Sequence, residues 1–183
     1  MTNAYSKKKN PEAVRRSILD AVERIAVTQG PAAVTIQAVA NAAGVTKGGV
    51  THHFENKQAL IEAMLVDVMR RVDEEIDHFL DDEKEHGCFT RAYVQVLLMG
   101  DRFGVNSPFD ALSLMTIFEP GLTGPWTNWL QRRLERHKDT DDYPDLEIIR
   151  FAADGAWLAY FGKGPDNELK ALGTRLIDMS RLP

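Results

Sequence analysis

Between Thr35 and Phe54 the sequence reads Thr-Ile-Gln-Ala-Val-Ala-Asn-Ala-Ala-Gly-Val-Thr-Lys-Gly-Gly-Val-Thr-His-His-Phe, and this stretch restricts the fold more than any other. Thr35 and Thr46 stand where a hydroxyl can accept a hydrogen bond from a backbone N–H at the start of a helix. Gly44 lies between the two short segments. A residue free to take the left-handed conformation there ends one helix and turns the chain into the next. Ala38 and Ala42 are small enough for two helices to approach, and Val39, Val45 and Val50 fill the angle between them. Two short helices joined in this way form a helix-turn-helix, whose second helix is free to enter a DNA major groove.

The rest of the chain carries helical periodicity throughout. Asn10-Pro11 reads as an N-cap and a first-turn proline, and Val14, Ile18, Ala21, Val22 and Ile25 recur at helical spacing until Gly30-Pro31. Asn56 opens a fourth helix whose stripe runs through Leu60, Ile61, Met64, Leu65, Val68, Val72, Ile76 and Phe79. This helix is predicted to persist to about Gly87. Further helices are predicted at about 89–103, 108–119, 124–138, 145–162 and 167–180, with a polar loop from Asp139 to Pro144. No segment alternates with period two, so the expected fold is all-α, with about nine helices. The expected organisation is a helix-turn-helix DNA-binding domain over 8–68 (motif about 34–53), joined by the long helix to a ligand-binding and dimerisation domain over 69–183.

Charge separates these two parts. The chain's formal net charge is −5, but residues 1–58 carry eight Lys/Arg against four acids, leaving +4 at the head and −9 on the remainder. A basic head on an acidic body suits contact with a polyanion at one end. No run of about 18 apolar residues is present, and the polar N-terminus lacks the apolar stretch of a secretory signal, so neither a membrane span nor export is expected. Cys88 is the only cysteine. It cannot close an intrachain disulfide, which fits a reducing cytoplasm.

The residues of the second motif helix suit DNA chemically. Thr46 can cap the helix or donate its hydroxyl to phosphate, and Lys47 is a flexible cation at the helix's positive end. Gly48 and Gly49 remove side chains where a backbone would approach the duplex. Thr51 offers a methyl to thymine or a hydroxyl to phosphate, and His52 and His53 are donors. Lys57, in the first turn of the fourth helix, opposes the helix dipole unless a phosphate sits there.

The segment Gly-Val-Thr-Lys-Gly-Gly-Val-Thr-His-His-Phe-Glu-Asn-Lys-Gln-Ala-Leu, with the Thr-Ile-Gln-Ala-Val-Ala-Asn-Ala-Ala that precedes it, resembles the signature of the tetracycline-repressor (TetR) family of bacterial regulators. The resemblance covers roughly residues 11–65. It implies three N-terminal DNA-binding helices and a variable helical body that dimerises and binds ligands. It also implies that Phe54 closes the recognition helix and Lys57 opens the fourth. The family commonly has tyrosine where this chain has Thr51, and often another where it has His53. The function expected is that of a ligand-released repressor on a palindromic double-stranded operator, Thr35, Thr46, Lys47, Gly48, Gly49, Thr51, His52, His53 and Lys57 being the DNA-facing residues. An activator of the same architecture differs only in operator position. A helical small-molecule enzyme is the remaining alternative, but the nucleophile-elbow, phosphate-loop and zinc-protease motifs are absent, so no enzyme is expected.

In the body, Phe103, Phe109, Met115, Phe118, Trp126 and Trp129 are large apolar side chains set among glycine and proline breaks. They are the expected lining of a pocket for an apolar small-molecule effector. Ala152, Gly155, Ala156, Trp157 and Ala159, with Leu172 and Leu176, are the expected homodimer interface, built as a four-helix bundle with two helices from each subunit. No metal or cofactor is expected. His52 and His53 point about 100° apart on a helix, and the spacing of His78, His86 and Cys88 fits no zinc template.

Overall fold

The computed structural model describes residues 10–80, 84–103, 113, 123–161, 163 and 167–181. The chain divides into two compact units, Met1–Met64 and Leu65–Pro183, the division falling inside one helix. The described residues form nine α-helical segments and no strand, as the periodicity requires.

In the first unit, α1 (Pro11–Gln29) is capped by Asn10, whose side chain accepts from Glu12 N at 3.1 Å. Its buried stripe is Ile18, Leu19, Ala21, Val22, Ile25 and Ala26. A 3₁₀ turn (Pro31–Ala33) leads to α2 (Ile36–Ala43) and then α3 (Lys47–His53). Gly44 takes φ 65°, ψ 35°, and its N–H reaches back to the end of α2. Two α1 side chains serve the last carbonyls of α2: Ser17 Oγ donates to Ala43 O and Arg24 to Ala42 O, at 3.3 and 3.2 Å. Val34, Val39 and Val50 are completely buried beneath the turn.

Helix α4 (Lys57–Phe79) ends with its stripe, eight residues before the expected Gly87. The run Asp81-Asp82-Glu83 follows at once in sequence. Carboxylates at the negative end of a helix oppose its continuation.

The second unit is built around α5 (Cys88–Val94), all seven of whose residues are buried, continued by a π-helical turn over Gln95–Met99. Then follow α6 (Gly124–Arg136), α7 (Lys138–Asp141), α8 (Pro144–Tyr160) and α9 (Asn167–Met179). The expected helix over 108–119 lies outside the described residues. The expected polar loop over 139–144 instead begins as the short helix α7, with Thr140 and Asp141 buried. The reason is a cap supplied from a distance: Asp141 accepts Phe89 N and Thr90 N, the unpaired donors of α5's first turn, at 3.2 and 2.8 Å. Gly87, at φ +70°, precedes α5 where a Cβ would lie 2.6 Å from the Ser180 carbonyl, so only glycine fits this join.

Helices α4 and α6 are tied by charge. Arg133, 3% exposed, gives Nε to Asp73 Oδ1 at 2.5 Å and a terminal nitrogen to Asp77 at 2.7 Å, and Trp129 Nε1 donates to Asp73 at 2.6 Å. A buried guanidinium is tolerated because carboxylates face it. No helix among the described residues is long and apolar enough to cross a membrane.

Candidate functional site

Helix α3 sorts its residues by side. At about 100° per residue, Lys47, Thr51, Gly48 and His52 fall within an arc of about 140°, and all four are exposed. Val50, on the far side, is fully buried. Gly49 and His53 lie between, half-buried. The nine expected DNA-facing residues are therefore unequal: four form one outward face, and Gly49 and His53 lie off it, half-buried.

Local bonding refines what each can offer. Thr46 Oγ1 accepts from Gly49 N at 3.0 Å, which caps α3 and leaves its own O–H to donate. Thr35 does the same for α2, accepting from Ala38 N at 3.1 Å. Thr51 Oγ1 lies 3.3 and 3.2 Å from the carbonyls of Lys47 and Gly48, so its single proton is spent within the helix. Its methyl is then what it presents. The two glycines also differ. A Cβ on Gly49 would stand 3.3 Å from Thr46 Oγ1 and 3.5 Å from Val45 Cβ, so the cap itself wants a glycine. A Cβ on Gly48 would meet nothing nearer than Thr46 Oγ1 at 3.9 Å. Nothing inside the protein requires glycine at 48.

Lys57 is exposed at the first position of α4, beside Asn56, whose side chain accepts from Ala59 N at 2.9 Å. Neither α3 nor α4 has an acid in its first turn. Phe54 closes α3 and carries the Arg15 guanidinium over its ring, 5.3 Å from the centroid. In the sequence Arg15 registers only as part of the basic head. Its placement beside α3 depends on α1 crossing there, which no local pattern reveals.

In the second unit, Phe103 and Trp126 line a small apolar cavity of about 10 Å³ with Val72, Ile76, Tyr93, Val96 and Leu97. Trp129 does not line it. It is buried in an aromatic cluster, 5.1 Å from Trp126 and 6.4 Å from Phe89 and Tyr93 between ring centroids. Phe109, Met115 and Phe118 lie outside the described residues. The missed lining residues sit in ordinary helical stripes, where a cavity wall and a packed core look the same. Trp126 also lines a second, open groove of about 630 Å³ between α6 and the start of α8, with Leu130, Leu134, Tyr143 and Glu147. Beside the cavity, the Tyr93 hydroxyl donates to Asp154. Burial raises both the phenol and the Asp154 carboxyl above their ordinary ranges, the carboxyl being partly held down by that hydrogen bond.

The expected interface residues separate in the same way. Ala156, Trp157 and Leu176 are buried within the protomer, because they face α5 and its neighbours, and Leu172 is half-buried. Little of Ala156, Trp157 and Leu176 is left exposed by the single chain. The outward side of α8 instead carries Ile148, Phe151 and Leu158, 62, 65 and 55% exposed, around the exposed Ala152, Gly155 and Ala159.

Residues 18–64 match the family model described as bacterial regulatory proteins, tetR family, and residues 87–181 match that of the tetracyclin repressor-like C-terminal domain. The HTH-type transcriptional regulator TtgR of Pseudomonas putida is 32% identical over 92 residues, which span 49% of this chain and 43% of that protein. The HTH-type transcriptional repressor KstR2 of Mycolicibacterium smegmatis is 24% identical over 176 residues, covering 88% of this chain and 84% of KstR2. Among solved structures, the multidrug binding protein EbrR complexed with malachite green superposes with a TM-score of 0.72 at 21% identity, over 90% of this chain and 96% of EbrR.

Proposed function

Because the chain belongs to the TetR family of bacterial regulatory proteins, we propose that it is a transcriptional regulator that binds a palindromic operator as a homodimer and, as a repressor, is released by an apolar small molecule. The observation that carries this reading is the outward arc of α3. Lys47, Gly48, Thr51 and His52 are exposed together on a helix presented by a left-handed turn, with no acid in its first turn. Lys47, Lys57 and the Thr35 and Thr46 hydroxyls address phosphates. The Thr51 methyl and His52 address base edges, and Gly48 lets the backbone come close. Arg15, held on Phe54, adds a cation at the other end of α3.

The dimer forms through the outward side of α8. Ile148, Phe151 and Leu158 are large apolar groups left in water by the single chain, and the small residues among them permit close helix approach. The effector enters at the Trp126 side of the body, where the open groove and the apolar cavity meet at one indole. EbrR, of the same fold, is described with malachite green bound, a precedent for an aromatic occupant. No catalytic role is assigned to any residue.

Selection of bound fragments from genomic DNA with the purified protein tests the reading. The expected product is a near-palindrome with half-sites centred about 34–36 Å apart or a multiple of that. A screen for compounds that release the protein from that site then identifies the effector. Failure to enrich any sequence, or a lone asymmetric half-site with binding insensitive to salt, would refute the DNA-binding role.

A further inference from the structure

Sequence spacing links Cys88 to no metal-binding pattern, but the fold brings two distant residues to it. Cys88 Sγ lies 3.8 Å from His137 Nδ1 and 3.7 Å from Asp141 Oδ2, and all three ligand-type atoms lie within 4.8 Å of one another. We propose that Cys88, His137 and Asp141 form a binding site for a thiophilic divalent cation, zinc being the best fit.

Four observations support the site. The first is the spacing of the donor atoms. A tetrahedral zinc with Zn–S of about 2.3 Å and Zn–N or Zn–O of about 2.0–2.1 Å sets its sulfur about 3.5 Å from each neighbouring ligand. The two separations from sulfur exceed this by only a few tenths of an ångström, and the His137 and Asp141 donor atoms lie within 4.8 Å of each other. The second is the pattern His-x-x-x-Asp across the α7 turn, which places two ligands on one face, while the third comes from a separate helix. The third is charge. A thiolate and a carboxylate neutralise a divalent cation, and a neutral imidazole completes the set, so the ion and its three ligands together carry no net charge, beside the buried Arg150 guanidinium that bonds to Thr90 Oγ1 and the Asp141 carbonyl. The fourth is support and access. Asp141 is oriented by Phe89 N, Thr90 N and Thr90 Oγ1, and Thr140 Oγ1 lies 2.9 Å from its Oδ2. Such outer contacts fix a metal-binding carboxylate. Cys88 borders a hollow of about 130 Å³ and Asp141 borders the groove of about 630 Å³, so open space lies next to two of the three buried residues.

Loading requires the thiol to give its proton to solvent. Burial, and after it the Asp141 charge, raises the Cys88 thiol above its ordinary range, and an incoming cation opposes both effects. The loaded site would join the start of α5 to the end of α6 and to α7. It is independent of the DNA-binding reading.

Cobalt(II) is the probe. The reduced full-length protein is titrated with it under anaerobic conditions and followed by absorption, then back-titrated with zinc. One equivalent is expected to produce tetrahedral d–d bands and a thiolate-to-cobalt charge-transfer band, both abolished by zinc. Cys88 is the only cysteine, so that band on the wild-type protein assigns the ligand without any variant. Cys88→Ala is expected to remove the band, and His137→Gln to weaken binding by more than the roughly 10–100-fold typical of losing an outer-shell contact. His78→Gln is expected to change neither. Absence of binding would overturn the proposal. So would cobalt bound without the charge-transfer band, which would mark surface histidines, or binding equally tight in Cys88→Ala.

Discussion

Gly48→Ala separates folding from DNA recognition more cleanly than any other substitution on α3. The residue is exposed in the first turn of a helix, and an added Cβ would come no closer than 3.9 Å to Thr46 Oγ1. With no clash, alanine is worth roughly 0.5–1 kcal/mol through the smaller entropy lost on folding. For a chain of this size that raises Tm by about 1–4 °C. The same methyl stands on the outward arc between Lys47 and His52, where close backbone approach to the duplex is proposed. Operator affinity should therefore fall at least about tenfold, or 1.4 kcal/mol. Gly49→Ala is the matched control. Its Cβ would press on the capping hydroxyl at 3.3 Å, so the propensity gain is offset by a loosened cap, and losing a cap costs about 1 kcal/mol. Scanning calorimetry and fluorescence anisotropy with the selected operator measure the two quantities. A Gly48→Ala protein that is more stable and binds operator as tightly as wild type would refute the assignment of this face to DNA.

Other outcomes follow from the same geometry. Lys47→Ala or Lys57→Ala should flatten the dependence of log affinity on log salt by about 0.9 per lost phosphate contact, hence roughly 1.8 for two subunits; an unchanged slope would remove that lysine from the phosphate set. Phe151→Glu, on the exposed side of α8, should leave the protomer folded and monomeric by sedimentation, whereas Trp157→Glu, at a buried position, should cost several kcal/mol of stability. A Phe151→Glu dimer would place the interface elsewhere. Asp154→Asn should raise Tm at neutral pH and lose that advantage in acid. Burial lifts the folded-state pKa of Asp154 above its unfolded value, so its favourable contribution exists when it is protonated and is lost as pH rises through the folded value. An advantage that persists unchanged at low pH would refute this.

The DNA-facing unit was legible because its determinants are local. Thr35, Gly44 and Thr46 act on backbone groups within a few residues, so the caps and the left-handed turn fall where the sequence places them. The body was legible only as a set of stripes. Trp157 and Phe151 share one apolar helix, and which of them faces inward depends on where α5 packs. The polar run at Asp139–Pro144 reads as a solvated loop, yet its Asp141 is buried as the cap of α5, which begins 53 residues earlier in the sequence. The α4 stripe stops at Phe79, where the helix ends, and the expected extension to Gly87 overran it.

Trp126 stands between two spaces of very different size. A drug-sized ligand needs roughly 300–1,000 Å³, and the apolar cavity offers about 10 Å³. The neighbouring groove is large enough in volume but open and partly charged. The same indole borders both spaces, so swinging it aside would join them into one site with an apolar floor of Val72, Val96 and Leu97. Its neighbour Trp129, 5.1 Å away, is held by Asp73 of α4. An occupant that displaces Trp126 therefore loads the contact through which α6 grips α4. If the ligand prefers the released form a hundredfold, the coupling is about 2.7 kcal/mol, and operator must weaken ligand binding by the same factor. Trp126→Ala removes the indole that both spaces share. It is expected to bind an apolar fluorescent probe, anilinonaphthalene sulfonate, more tightly and faster than wild type, at some cost in stability because the indole is half-buried. Equal probe affinity and rate in the two folded proteins would mean that Trp126 is a wall of the groove and not the gate to the cavity.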